Sequence, residues 1–177
     1  MIKVYNDTIN IMDSKTDFIV FHADCDCILN SDFAHALNEI NSGLFRHCRS
    51  KYEYCQKYDI PIYGDNDYYW SNSMKNNKRS QCIMAMFDQV KDNNTHEYYT
   101  DYGHLITCLR QFKADWPSWV NDLDKDKNEI LRRTSVSFLI NDGACRGLKD
   151  WENIVYIIEK ELIDYDVEIC GSQQNEK

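Results

Sequence analysis

The chain has 177 residues, 43% of them hydrophobic and 13% aromatic, which suits one domain with a substantial core. With Lys+Arg 20 against Asp+Glu 29 the formal net charge is −9, and such a surface repels a phosphate backbone over most of its area, which speaks against general nucleic-acid binding. No apolar run approaches the ~20 residues of a membrane helix. The opening Met1–Asp7 lacks the basic and apolar regions of a signal peptide, so the expectation is a cytoplasmic protein with no membrane partner.

In chain order, Ile2–Tyr5 reads as a strand, followed by Asp17–His22, whose almost continuous apolar character marks a strand covered on both faces. Ser31–Ile40 predicts a helix with Ser31 as its N-cap and Phe33, Ala36, Leu37 and Ile40 on one face. After the Asn41-Ser42-Gly43 break the helical pattern resumes over Leu44–Tyr58. Asp65–Arg79 is polar and aromatic and reads as a loop or an irregular hairpin. Cys82–Phe87 is a strand, and Thr100–Lys113 a helix with a stripe of Tyr102, Leu105, Ile106, Leu109 and Phe112. Trp116–Lys127 reads as a solvated excursion, Thr134–Ile140 as a second doubly covered strand, Trp151–Ile163 as a core-facing helix, and Asp166–Cys170 as the last strand. Residues 1–170 form the expected domain and 171–177 a frayed tail. Strands alternating with helices predict an α/β fold with a mostly parallel central sheet and helices on both faces.

The eight cysteines are scattered along these elements, and only Cys25 and Cys27 lie close together, so reduced thiols acting as small hydrophobes are expected. In open α/β sheets ligands bind beyond the C-terminal strand ends. Two connections there carry polar residues and small turns: His22 to Asp32, and Asn141 to Asp150 with Gly143 and Gly147 able to aim successive amides at one anion. The run His22, Asp24, Cys25, Asp26, Cys27 holds soft ligands that suit zinc, but it lacks a second ligand pair and no Cys-x-x-Cys occurs, so neither metal nor cofactor is expected.

The motifs in these connections resemble the macro domain family, in particular the branch of ADP-ribose-1″-phosphate phosphatases, terminal ADP-ribose glycohydrolases and phage relatives. The resemblance runs from Ile2 to Cys170. It rests on Asn6-Asp7-Thr8-Ile9 after the first strand and Phe18-Ile-Val-Phe-His22 followed by Asp26-Cys27. It continues through Tyr54-Cys-Gln-Lys-Tyr, Gly64-Asp65, Phe87-Asp-Gln89 and Thr100-Asp-Tyr, and ends in Gly143-Ala-Cys-Arg-Gly-Leu-Lys-Asp-Trp151. It implies a three-layer macro-like domain that binds ADP-ribose or a derivative, with hydrolysis at the distal ribose as the associated chemistry. It also implies the ligand contacts: Asp7 and Thr8 at the adenine, Asp26 and the loop through Ser31 at the distal ribose and diphosphate, and Gly143, Ala144, Cys145, Arg146 and Gly147 around the phosphates. Any catalysis would fall to Asp26, His22 or Asp150.

This chain departs from the pattern where Asn30 and Asp32 replace loop glycines, where Cys145 replaces another, and where no lysine stands on Cys82–Gln89. Lys-dependent removal of ADP-ribose is therefore not expected. A carboxylate ~5 Å from a phosphate costs roughly 3 kcal/mol at an effective dielectric near 20, which raises the alternative of a degenerate, non-catalytic macro domain acting as a protein-binding or antagonist module. Residue by residue, plainer roles compete. Asp7 suits an Asx turn, Asp150 an N-cap and His22 a hydrogen-bonded core position, while Tyr63–Trp70 suits aromatic packing over the sheet edge.

Overall fold

The computed structural model describes residues 2–5, 14–29, 32–40, 42–70, 81–123, 129–139 and 148–171. Its strands are β1 (Ile2–Tyr5), β2 (Phe18–Asp24), β3 (Asn66–Trp70), β4 (Cys82–Lys91), β5 (Tyr98–Thr100), β6 (Trp119–Leu123), β7 (Glu129–Arg133), β8 (Ser135–Leu139) and β9 (Asp166–Cys170). The helices are α1 (Asp32–Ile40), α2 (Leu44–Lys57), α3 (Tyr102–Asp115) and α4 (Leu148–Glu161).

The main sheet has the order β1-β9-β8-β2-β4-β3, with β5 added to β4. Pairings from β1 through β4 are parallel, and those of β3 and β5 with β4 are antiparallel. The expected α/β architecture with a mixed, mostly parallel sheet is present. In β2, Phe18 and Val20 pack with the core residues of α3 and α4, while Ile19, Phe21 and Ala23 pack with those of α1 and α2. β4 divides the same way, Cys82, Met84 and Met86 against Ile83, Ala85 and Phe87. Burial on both faces explains why these two strands lack the polar–apolar alternation of a half-exposed strand.

Several boundaries differ from the sequence expectations. β2 runs two residues past His22 because its pairing with β4 continues through a register shift to Asp24 opposite Gln89, and β4 runs four past Phe87 because Gln89, Val90 and Lys91 pair with β5. Of the two expectations for Asp65–Arg79, loop or irregular hairpin, residues 66–70 fit the second as a regular strand antiparallel to β4, and the stretch after Trp116 contains half of the β6–β7 hairpin. Within α1, Leu37 faces the core as expected, Ala34 is buried beside it, and Ala36 is exposed. α3 begins at Tyr102, after Thr100 in β5, with Asp101 as its N-cap: the Asp101 carboxylate accepts from the His104 amide at 2.9 Å. α3 and α4 are tied on the outside by Glu161, which accepts from Lys113 at 2.8 Å and Arg110 at 3.0 Å. The Lys113 bond first, then Arg110, draws the Glu161 carboxyl below its usual range against the opposing effect of burial.

The described cysteines, Cys25, Cys27, Cys48, Cys55, Cys82, Cys108 and Cys170, are unbridged and buried. Among the described residues no helix is long and apolar enough to cross a membrane.

Candidate functional site

The strand order places a topological switch between β2 and β8. From β2 the chain passes over one face through α1 and α2 and reaches β4 on one side; from β8 it passes over the other face through α4 to β9 on the opposite side. β2 and β8 are parallel neighbours in register, Phe18 opposite Val136 and Val20 opposite Phe138. Their C-terminal ends, Asp24 and Leu139, therefore lie at the same edge, the position at which open α/β sheets bind ligands.

The first connection is described as far as Leu29. Asp24 ends β2 buried, and its two carboxylate oxygens accept from the amides of Ile28 at 2.7 Å and Leu29 at 2.8 Å. Cys27 and Leu29 hold positive φ angles of 54° and 52°, a region that side-chain-bearing residues enter at a cost of roughly 1–2 kcal/mol each. The Asp24 carboxylate thus folds the loop around itself. Its strand position carried no sequence signal for this task beyond an Asp at an apolar strand's end.

Asp26 follows on the outside of the turn, exposed, and accepts from the Tyr98 hydroxyl at 2.9 Å. Burial first, and then the Asp26 carboxylate, pushes the Tyr98 phenol well above its usual range. Ile28 is exposed beside it. Cys25 points inward, its Sγ 3.3 Å from the Phe87 carbonyl and its amide donating to the Gln89 carbonyl at 3.0 Å. Burial drives the Cys25 thiol far above its ordinary value, with Asp88, Asp24, Asp26 and Asp101 adding to the shift in that order. Four carboxylates therefore surround this strand end.

His22 is turned into the core. It lies inside β2, its side chain 2% exposed, with Nδ1 2.7 Å from Oδ2 of Asp88, which is 0% exposed. His22 Nε2 and Asp88 Oδ1 have no hydrogen-bond partner. Asp88 was not among the expected site residues; the sequence clue was an acid within an otherwise apolar strand. Asp150 sits in the first turn of α4, which begins at Leu148, three residues earlier than the N-cap reading required. Its Oδ1 accepts from the Tyr102 hydroxyl at 2.5 Å, and Asn153 donates to that hydroxyl at 3.1 Å, so Asp150 joins the N-termini of α3 and α4. Of the three expected catalytic residues the described structure leaves Asp26 alone at the exposed surface of the first loop. Asp7, Thr8, Ser31, Gly143, Ala144, Cys145, Arg146 and Gly147 lie outside the described residues.

Among the described residues no three His, Cys, Asp or Glu side chains are gathered as a metal site. Asp24 is turned into its own loop and His22 to Asp88. A separate cavity of about 320 Å³ opens at the opposite, N-terminal ends of the strands, lined by Lys3, Lys15, Thr16, Ser135, Asp166, Val167 and Glu168. Here the sheet face is polar: buried Ser137 meets Ser14 at 2.7 Å and Thr16 at 2.8 Å.

No family model and no curated protein matches the sequence. Solved structures do match the fold. The macrodomain of Thermus aquaticus DarG aligns at a TM-score of 0.62 and 12% identity, covering 96% of this chain and 97% of that one. A macrodomain protein from Streptomyces coelicolor aligns at 0.63 and 12%, covering 96% and 98%. Thermosipho africanus DarTG, solved in complex with ADP-ribose, aligns at 0.61 and 9%, covering 93% of this chain and 40% of that one. At these identities the likeness concerns the backbone arrangement, and it spans nearly the whole chain: this protein has the macrodomain-like α/β fold.

Proposed function

We propose that the protein binds ADP-ribose or a close derivative in the crevice between the connection after β2 and the segment ahead of α4. The observation that carries this reading is the switch point between β2 and β8 in a macrodomain-like fold, where the two connections leave adjacent strand ends in opposite directions. The ADP-ribose complex of the Thermosipho africanus neighbour supports the ligand class. Residues 143–147, with Arg146 and two glycines, would supply amide donors and a cation for the diphosphate, and the N-terminus of α4 would add its dipole. Asp7 and Thr8 would take the adenine end, Ser31 and Asp26 the distal ribose. Hydrolysis at that ribose would rely on Asp26 to orient water, since His22 and Asp150 are turned to protein partners.

A second reading has an observation in its favour. Asp24 already occupies the Ile28 and Leu29 amides, and Asp26 presents a further negative charge beside them. A crevice supplied with its own carboxylates suits a degenerate domain that works through protein contacts. Calorimetry with ADP-ribose separates the two. On the first reading the protein binds, and Gly143→Glu weakens binding at least tenfold by placing a charge and a side chain against the diphosphate. A folded protein giving no heat at millimolar ligand would leave the second.

A further inference from the structure

The cavity at the N-terminal ends of the strands lies at the far end of the sheet from the proposed ADP-ribose site and takes no part in that reading. Strand registers set its groups in order. Lys3 on β1 stands opposite Glu168 on β9, Glu168 opposite Ser137 on β8, and Asp166 opposite Ser135. Register partners, and residues two apart along a strand, share a sheet face. Lys15 and Thr16 lead into β2, the next strand over. Across the cavity the order is therefore a cation on β1, two carboxylates on β9, a hydroxyl on β8 and a second cation ahead of β2. With neighbouring strands ~4.8 Å apart, β1 and β2 are separated by about 14 Å.

These charges do not satisfy one another. Lys3 and Glu168 are cross-strand neighbours, yet among the described residues neither Lys3 nor Lys15 makes an ion pair or hydrogen bond. Glu168 accepts from Ser14 at 3.2 Å and from Ser137 at 3.3 Å, both through Oε2, which fixes the carboxylate and leaves Oε1 for another donor. The floor beneath it is built of buried hydroxyls: Ser137 is 0% exposed and Thr16 7%, and they bond each other at 2.8 Å. On β2 and β4 the same face carries Ile19, Phe21, Ile83 and Phe87 instead. Burying hydroxyls costs free energy unless they are bonded, and here the bonds hold a carboxylate in place. The space of about 320 Å³ falls at the small end of ligand pockets.

We infer that this cavity binds an acidic α-amino acid, a small molecule whose ammonium stands between two carboxylates. The ligand's order of negative, positive and negative complements the wall's order of Lys3, Glu168 and Lys15. The ammonium bonds Glu168, with Asp166 adding to the field beside it, and the two carboxylates reach the two lysines. Hydrogen bonds between ionised partners are the strong ones. A diphosphate brings no ammonium and is repelled by Glu168 and Asp166, so this cavity and the proposed ADP-ribose site take different ligands.

The test is amide NMR titration of the full chain with L-glutamate, glutarate and L-glutamine; glutarate lacks the ammonium and glutamine the second carboxylate. Glutamate should move the amides of Lys3, Thr16, Ser135 and Glu168 saturably and bind at least about fivefold more tightly than either analogue. Lys3→Ala and Lys15→Ala, both at exposed positions, should each weaken glutamate at least about fivefold. Glu168→Gln keeps the size of the side chain and should bring glutamate down to the level of glutarate. No saturable shift with glutamate, or glutarate or glutamine binding as tightly as glutamate, overturns the inference. So does glutamate binding that is indifferent to both lysine variants, since the ligand then sits elsewhere. None of these outcomes bears on the ADP-ribose reading.

Discussion

Replacing Asp24 with Ala tests whether the first loop is built around that carboxylate. Asp24 is 6% exposed and accepts two amide bonds, at 2.7 and 2.8 Å, from residues four and five positions ahead. Bonds to a charged group contribute about 1.5–3 kcal/mol each. Water can reach the exposed Ile28 side of the turn, which recovers part of that loss. The left-handed conformations of Cys27 and Leu29 are held against their own cost, so without Asp24 the turn also loses its reason to keep that shape. The net expectation is a destabilisation of about 2–4 kcal/mol, which for a domain of this length lowers Tm by roughly 4–16 °C. Asp24→Asn should fall between, since its amide keeps one acceptor and turns a donor towards the other N–H. Asp26→Ala is the control: exposed and bonded to the Tyr98 hydroxyl, it should cost under about 1 kcal/mol. Thermal and urea melts of the variants decide the matter. If Asp24→Ala melts no lower than Asp26→Ala, the loop does not depend on the carboxylate and the reasoning fails.

Other consequences follow from the same geometry. His22→Ala should destabilise by about 3–5 kcal/mol in urea melts, because it strands the Asp88 carboxylate in the core; a loss under 1 kcal/mol would mean the pair is not a structural one. The described thiols should resist a thiol reagent at pH 8 in the native protein and react once it is unfolded, since burial holds them protonated; Cys27, pushed up to about 12 by burial first and by Asp24 next, is the clearest case. The sign for stability follows from that shift: the unfolded thiol loses its proton near pH 8.5 while the folded one keeps it, so this contribution is whole below about pH 8.5 and is lost as pH rises towards about 12. Glu161 works in the other direction. Its depressed carboxyl stabilises the α3–α4 contact above its unfolded value near pH 4.3, and the advantage of the native protein over Glu161→Gln, about 0.5–1 kcal/mol at pH 7, should vanish as pH falls through the lower folded value.

The legible parts of the fold were those where burial writes directly into the sequence. β2, β4 and β8 are covered on both faces or nearly so, and their apolar runs announced a parallel sheet; the helices between them carried clear stripes. β3 was harder to see because Asn66-Asp-Tyr-Tyr-Trp70 has an edge strand's mixed character: Asn66 and Asp67 are buried only because the Cys108 carbonyl, Lys51 and His47 meet them. The β6–β7 hairpin looked like solvated chain because a two-stranded ribbon needs no continuous apolar face. In α1 Leu37 faces the core as read, while Ala34 rather than Ala36 is its buried companion, and nine residues give the pattern few positions from which to fix that choice.

The site was partly legible for a related reason. The position of the crevice depends on strand order, which alternating elements suggest, and the His22-to-Asp32 connection was identified on that basis. The partners were not visible. His22 and Asp88 are 66 residues apart and meet only through the pairing of β2 with β4, and Asp150 finds Tyr102 across 48 residues. A carboxylate that appears in a sequence as a candidate catalyst has no mark to say whether it is already committed to an amide, a hydroxyl or a histidine.

The most direct measurement is a crystal structure of the protein grown with ADP-ribose. The account predicts electron density for the ligand across the ends of β2 and β8, its diphosphate against residues 143–147 and its distal ribose beside Asp26. Ligand seated instead in the cavity formed by Lys3, Thr16 and Glu168 at the far end of the sheet, or density showing side chains filling the β2–β8 crevice, would contradict it.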